Sequence, residues 1–261
     1  MRIVRFTPGP DAGLGQDPLF GILEDDATIS IISGDPIYSG IQKTAAKIEL
    51  NKVRLLAPII PRSKVVCIGK NYADHAAEMG GVVPEEPIIF LKPNTSVIGP
   101  NDTIVWPEMS ERVDHEAELA IVIGRICKDV PKERVNDVIF GYTIANDVTA
   151  RDLQSKDGQW TRAKSFDTFC PIGPWVDTDF VPGTQKITAT VGDQVKQAGH
   201  LNDMIFDVPA IINFVSRVMT LLPGDIILTG TPAGIGPMVV GEKATMAIEG
   251  LGELTNKVAA Q

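Results

Sequence analysis

Short apolar runs separated by turn-forming residues dominate the chain. Over the first sixty residues, β-like runs at 3–6, 19–23 and 28–32 alternate with stretches such as TPGPDAGLGQDP, and the region closes on the extended segment VRLLAPIIP. This predicts a small N-terminal β domain over residues 1–61 and a second domain over 62–261. The second opens with KVVCIGKNYADH, in which 65–68 reads as a buried strand broken by a glycine. Asn71 is placed to cap a short helix, with Asp74 as its reciprocal partner and Gly80-Gly81 as its stop. Beyond it come the strand-like runs PIIFL, LAIVIG, VIFGYTIA, KITATV, DIILTG and ATMAI, with helical spacing only at 132–138 and 208–222. Strands outnumber helices without alternating with them. The expected class is α+β and β-rich, against a doubly wound or barrel α/β chain.

Composition and charge narrow the functions. The 261 residues hold 24 Lys+Arg against 33 Asp+Glu, a net charge of −9, which lacks the basic footprint needed to neutralise a phosphate backbone and excludes nucleic acid as the expected partner. With 44% hydrophobic and 22% charged residues, the chain can bury a sizeable core. No apolar run approaches the roughly 18 residues of a membrane span, and MRIVRFTPGPDAG has no apolar signal core, so the expectation is a cytoplasmic protein with no membrane partner. Cys67, Cys127 and Cys170 form no C-x-x-C pair and are expected as small core residues.

Candidate chemistry concentrates in RVDHEAELAIVIG, residues 112–124. On a strand over 116–123, Glu116 and Glu118 project from one face, about 7 Å apart, at the mouth of a run too apolar to leave two anions unpaired. GYTIANDVTARD likewise brings Asp147 to the end of an apolar stretch. Three carboxylates without a soft ligand suit a hard divalent ion, Mg²⁺ with Mn²⁺ or Ca²⁺ as alternatives. The competing reading is a solvated outer face, with Asp147, Thr149, Arg151 and Asp152 as a salt-bridged turn. His75 and Glu78 share a helix face at i, i+3, where a carboxylate can orient an imidazole for proton abstraction from water. The chain has only three histidines, and this segment is flanked by glycine, as a moving lid would be. Lys164 and Lys92 are charged residues in apolar or proline-rich surroundings, either snorkelling or drawn in by an anionic ligand. Thr231 lies on a glycine-rich loop, ILTGTPAGIG, whose backbone N–H groups can grip a carboxylate; it matches neither a phosphate loop nor a dinucleotide fingerprint.

Taken together, IGKNYADHAAEMG (68–80), PIIFLKPNTSVIGP (87–100), VDHEAELAIVIG (113–124), GYTIANDVTARDLQ (141–154), WTRAKSFDTFCPIGPW (160–175) and LLPGDIILTGTPAGIG (221–236) resemble the fumarylacetoacetate hydrolase family, in that family's order. The first sixty residues match only loosely, and the short connection SKDGQW lacks the insertion of some relatives. The resemblance implies a mixed β-sandwich roll assembled as a homodimer. It implies Glu116, Glu118 and Asp147 as metal ligands, His75 and Glu78 as a catalytic dyad on a lid, and Lys164 as a substrate-polarising lysine. Arg151, Gln154, Lys92 and Thr231 fall where family members line the substrate pocket. A dication among three carboxylates leaves one negative charge that Lys164 cancels, so Arg151 and Lys92 are the cations expected to meet a small anionic 2-oxo acid. The expected reaction is hydrolysis of an acylpyruvate or fumarylpyruvate, releasing pyruvate through the enolate of the chelated 2-oxo acid. Oxaloacetate decarboxylation and isomerisation of 2-hydroxyhepta-2,4-diene-1,7-dioate are alternatives on the same site; a non-catalytic metal-binding protein is the rival from another class.

Overall fold

A computed structural model describes residues 1–261. The fold is β-rich α+β, built on a twisted sheet whose main path runs, in spatial order, Lys43–Glu49, Thr28–Ile32, Leu19–Leu23, Arg2–Pro8, Cys170–Asp177, Ile139–Asn146, Ala117–Ile123, Ile226–Leu228, Val65–Gly69 and Ile88–Lys92. A second sheet of five strands, Gln194–His200, Lys186–Val191, Lys243–Ile248, Gly252–Ala260 and Thr103–Trp106, packs against it.

The strand Ala117–Ile123 is buried at every position, which explains why LAIVIG is apolar without alternation. Leu119, Ile121 and Ile123 point into the core shared with the five-stranded sheet and the helix Val208–Val218. Ala120 and Val122 point the other way, into a second core with Val65, Cys67, Ala145, Cys170 and Ile226. Successive side chains alternate across a strand, so Glu118 and Glu116 continue this second face where the sheet runs out of apolar cover.

Three strands of the N-terminal region join this second core through Ile3, Ile22 and Ile32, and Arg2 and Ile3 pair with Asp177 and Val176. The first sixty residues therefore extend the main sheet, while Val4, Phe6, Ile29 and Ile48 form a smaller core of their own.

Several local expectations are corrected. Asn71 does not cap the short helix: Tyr72 occupies that position in Ala73–Glu78, and no side chain caps it. The Asn71 amide instead donates to the carbonyls of Phe206 (3.0 Å) and Thr229 (2.7 Å) and accepts from Phe206 N–H, a buried clamp between two loops. Residues 132–138 form a 3-10 helix over Lys132–Asp137, and the helix expected to reach 222 stops at Val218 because Met219 is extended. The polar knot after Asp147 is not a turn; Thr149 lies in the short strand Thr149–Ala150, and Arg151 and Asp152 start the helix Arg151–Asp157. No helix is long and apolar enough to cross a membrane.

Candidate active site

The register of the central hairpin assembles the carboxylates. Ala117 lies opposite Asn146 and Glu118 opposite Ala145, so Glu116 and Asp147 leave the two strands side by side. Asp147 N–H donates to Glu116 C=O (2.9 Å), and Glu116 N–H to Asn146 Oδ1 (2.9 Å). One oxygen each from Glu116, Glu118 and Asp147 falls within 4.8 Å of the others, with all three residues buried. A solvated outer face is thereby excluded.

Cations hold two of the three. Lys164, on the helix Thr161–Lys164, donates to Glu116 Oε2 (2.8 Å) and Asp147 Oδ2 (2.6 Å). Arg151 donates to Glu116 Oε1, to Asp114 Oδ2 (2.9 Å) and to Gln154 Oε1 (2.6 Å). Burial would raise the Glu116 carboxyl, but Lys164 and Arg151 outweigh it and hold it below the ordinary carboxylate range. Burial works against the charged Lys164 ammonium, yet Asp147 and Glu116 raise its pKa, so it stays protonated.

Glu118 has no such partner. Its one hydrogen bond comes from Gly230 N–H (2.6 Å). Gly230 sits at φ +95°, and a Cβ there would lie 2.6 Å from the Asn71 side chain, so only glycine brings this N–H to the carboxylate. Burial first, then the nearness of Asp147 and Glu116, pushes the Glu118 carboxyl well above its usual range. A buried carboxylate without a cation, converging with two others, is the donor set that a hard divalent ion completes.

The pocket-lining role expected of Lys92 is not what the structure shows. Lys92 is fully buried behind Asp147, donating to its Oδ1 (2.5 Å) and to Val148 C=O (3.1 Å), and it does not border the cavity around the carboxylates. Arg151 borders that cavity but is engaged as above. Around the cluster, Asp114, Glu116, Glu118 and Asp147 face Lys92, Arg112, Arg151 and Lys164, in equal number. A dication therefore adds two uncompensated positive charges, in place of the near-neutral site expected from three carboxylates and one lysine.

His75 is buried, and Glu78 is one turn away. His75 Nδ1 lies 3.2 Å from Glu78 Oε2, and Gly234 N–H donates to both Glu78 oxygens (3.1 and 3.2 Å), fixing the carboxylate against the glycine-rich loop. Nε2 is thus the nitrogen left for substrate or water. His75, the three carboxylates, Gln154, Lys164 and Thr231 all border one cavity of about 30 Å³, room for an ion or a water molecule.

Thr231 Oγ1 donates to Ala117 C=O (2.8 Å) and accepts from Gln197 Nε2 (2.7 Å). Gln197 also donates to Pro232 C=O (2.7 Å) and accepts from Ala117 N–H (3.0 Å), tying the loop to the strand that carries Glu118. Nothing in the sequence near Gln197 signals this. Asp114 was also missed, although Asp114, Glu116 and Glu118 alternate on one face and that pattern was a readable signal. Cys67 and Cys170 are core residues as expected; burial pushes the Cys170 thiol up to about 12, which removes it as a thiolate ligand.

The fumarylacetoacetate (FAA) hydrolase C-terminal family matches residues 64–259, and an N-terminal family described as Rv2993c-like matches residues 1–58. Protein Rv2993c of Mycobacterium tuberculosis is 58% identical over 86% of this chain and 84% of its own length. The mitochondrial oxaloacetate tautomerase Fahd2a of Rattus norvegicus is 43% identical over 80% of this chain and 70% of its own. Among solved structures, 5-carboxymethyl-2-hydroxymuconate delta-isomerase from Mycobacterium smegmatis superposes with a TM-score of 0.91 at 47% identity, covering 100% of both chains. Maleylpyruvate hydrolase from Sphingobium sp. SYK-6, in complex with manganese(II) and pyruvate, does so with a TM-score of 0.80 at 33% identity, covering 100% of this chain and 99% of its own. Sheet order, carboxylate cluster and sequence agree: this chain belongs to the fumarylacetoacetate hydrolase family.

Proposed function

We propose that this protein is a divalent-metal-dependent enzyme that moves a proton at C3 of a small 2-oxo dicarboxylate, interconverting its keto and enol forms. The observation that carries the reading is that His75, backed from outside the cavity by Glu78, and the three converging carboxylates border one cavity. Glu116, Glu118 and Asp147 would hold Mg²⁺ or Mn²⁺, which would supply Lewis-acid polarisation to the bound 2-oxo acid. His75 Nε2 takes or returns the C3 proton while Glu78 supports the imidazolium that results. Lys164 holds Glu116 and Asp147 in register and presents a fixed positive charge to the substrate oxygens. Thr231 and Gln154 border the cavity as its polar contacts. Keto–enol exchange moves one proton between oxygen and C3 and consumes no water.

This order differs from the expectation that hydrolysis leads, because the relatives above at 43% and 47% identity carry tautomerase and isomerase names while the hydrolase shares 33%. Hydrolysis of an acylpyruvate is the second reading, supported by a carboxylate-backed histidine of the kind that activates water. In it His75 takes a proton from water, the hydroxide adds at C4, and the C3–C4 bond breaks with its electron pair left on C3. Assays with Mg²⁺ or Mn²⁺ separate the readings. Faster decay of the oxaloacetate enol absorbance without CO₂ or pyruvate supports the first; pyruvate release from acetylpyruvate or fumarylpyruvate supports the second; CO₂ from oxaloacetate marks a decarboxylase. Metal that raises the melting temperature while no 2-oxo acid reacts sinks both and leaves a metal-binding protein. The homodimer belongs to the same proposal, and light scattering tests it against a chain mass of 28.1 kDa.

A further inference from the structure

We propose that Lys70 is the specificity residue that takes the distal carboxylate of a 2-oxo dicarboxylate. The inference rests on the 2-oxo acid reading above and adds the second anionic group.

Charge pairing isolates this residue. Lys92, Arg151 and Lys164 are committed to Asp147, Asp114 and Glu116. Lys70 borders the same cavity, and no carboxylate lies within ion-pair distance of its ammonium, nor does any acceptor of the chain hydrogen-bond it. It is half-buried, so its charge is partly withdrawn from water without compensation inside the protein. With Glu118 ionised, as a bound metal requires, the four cluster carboxylates offset the four cluster cations and Glu78 of the dyad is counted against Lys70. A dication then leaves two positive charges, the complement of a 2-oxo dicarboxylate.

The backbone and the neighbouring glycines fit the same role. Lys70 follows the strand Val65–Gly69 at φ +55°, a left-handed conformation that is strained for a residue with a Cβ and that glycine would adopt freely. Its ammonium packs against Gly81, just past the helix that carries His75; a Cβ on Gly81 would lie 2.6 Å from Nζ. Gly69, the preceding residue, is crossed by the Trp160 ring, which a Cβ would approach to 2.7 Å, and Trp160 is an apolar wall of the same cavity. The cavity thus has a carboxylate cluster for the 2-oxo acid head, an aromatic wall, and one free cation beside the helix that covers it.

Lys70→Met keeps the stem and removes the charge, and Lys70→Arg keeps the charge. Two stable acids of equal chain length, 2-oxoglutarate with a distal carboxylate and 2-oxovalerate without one, are titrated into Mn²⁺-loaded protein. The expected result is a preference for 2-oxoglutarate that Lys70→Met reduces by roughly ten- to a hundredfold and Lys70→Arg largely restores, with 2-oxovalerate and oxalate binding unchanged. In turnover, Lys70→Met should raise KM for fumarylpyruvate or oxaloacetate and leave kcat, and acetylpyruvate kinetics, within about twofold. Equal losses for both acids, or no loss for either, overturn the assignment. A Lys70-dependent preference in a protein that turns over no 2-oxo acid upholds it while refuting the proposed reaction.

Discussion

At the scale of single residues, Glu118 is the most informative carboxylate because it alone of the three lacks a cation. Its pKa is raised by burial and by its anionic neighbours, so the folded chain keeps a proton that the unfolded chain releases above the ordinary 4.5. In metal-free protein this contribution to stability is complete below that value and is lost as pH rises through the raised one. Melting temperatures against pH in a chelator should therefore fall less steeply for Glu118→Gln than for wild type, and the variant should gain no stability from Mg²⁺. A parallel pair of curves would refute the assignment. Lys92 is a buried counter-charge, and Lys92→Met should cost about 3 kcal/mol in urea unfolding, because Asp147 loses a partner it cannot replace with water. The three converging carboxylates were legible from the sequence as acidic residues at the ends of apolar runs. The environment of Lys92 was not, because its partner lies 55 positions away.

At the scale of elements, strand Ala117–Ile123 shows why the site has its form. Both faces are buried, so its apolar run ends abruptly, and Glu116 and Glu118 share the face on which Asp147 arrives from the paired strand. The run itself was readable; the hairpin register that brings Asp147 across belongs to pairing between distant segments. The helix Ala73–Glu78 was placed within two residues, but its anchor was misread, because the Asn71 side chain reaches residues 135 and 158 positions away instead of its own helix. Glu78 ties this helix to Gly234 while remaining partly exposed. Glu78→Ala should therefore reduce kcat by on the order of 10² to 10⁴ with little change in melting temperature and unchanged metal affinity. A comparable fall in metal affinity, read by Mn²⁺ titration, would show that the residue acts through the carboxylate cluster instead.

At the scale of the whole molecule, a ligand-bound metal couples site to stability: Mg²⁺ at a hundred times its dissociation constant should add about 2.7 kcal/mol, and a chelator should remove it. The N-terminal region poses a second test. Residues 1–58 match a family of their own, and their expected status as a separate domain becomes a proposal about folding. Ile3 and Ile22 lie in the core that contains Ala120 and Cys170, and Arg2–Pro8 covers the edge of Cys170–Asp177. A chain beginning at residue 59 should therefore aggregate or melt well below the full protein; equal melting temperatures would show two independent units. What the sequence determined by itself was local and compositional: the β-rich class, the buried strands, the absence of a basic footprint, and the residue types that chemistry needs at short spacings. Only the tertiary structure decided which charges cancel. Lys92, expected at the substrate, is held by Asp147 away from the cavity, Arg151 borders the cavity while paired with Asp114 and Glu116, and Lys70 is left facing it unpaired. Side-chain identity and period reside in the chain order, whereas a charge's partner depends on which distant segments the fold packs together.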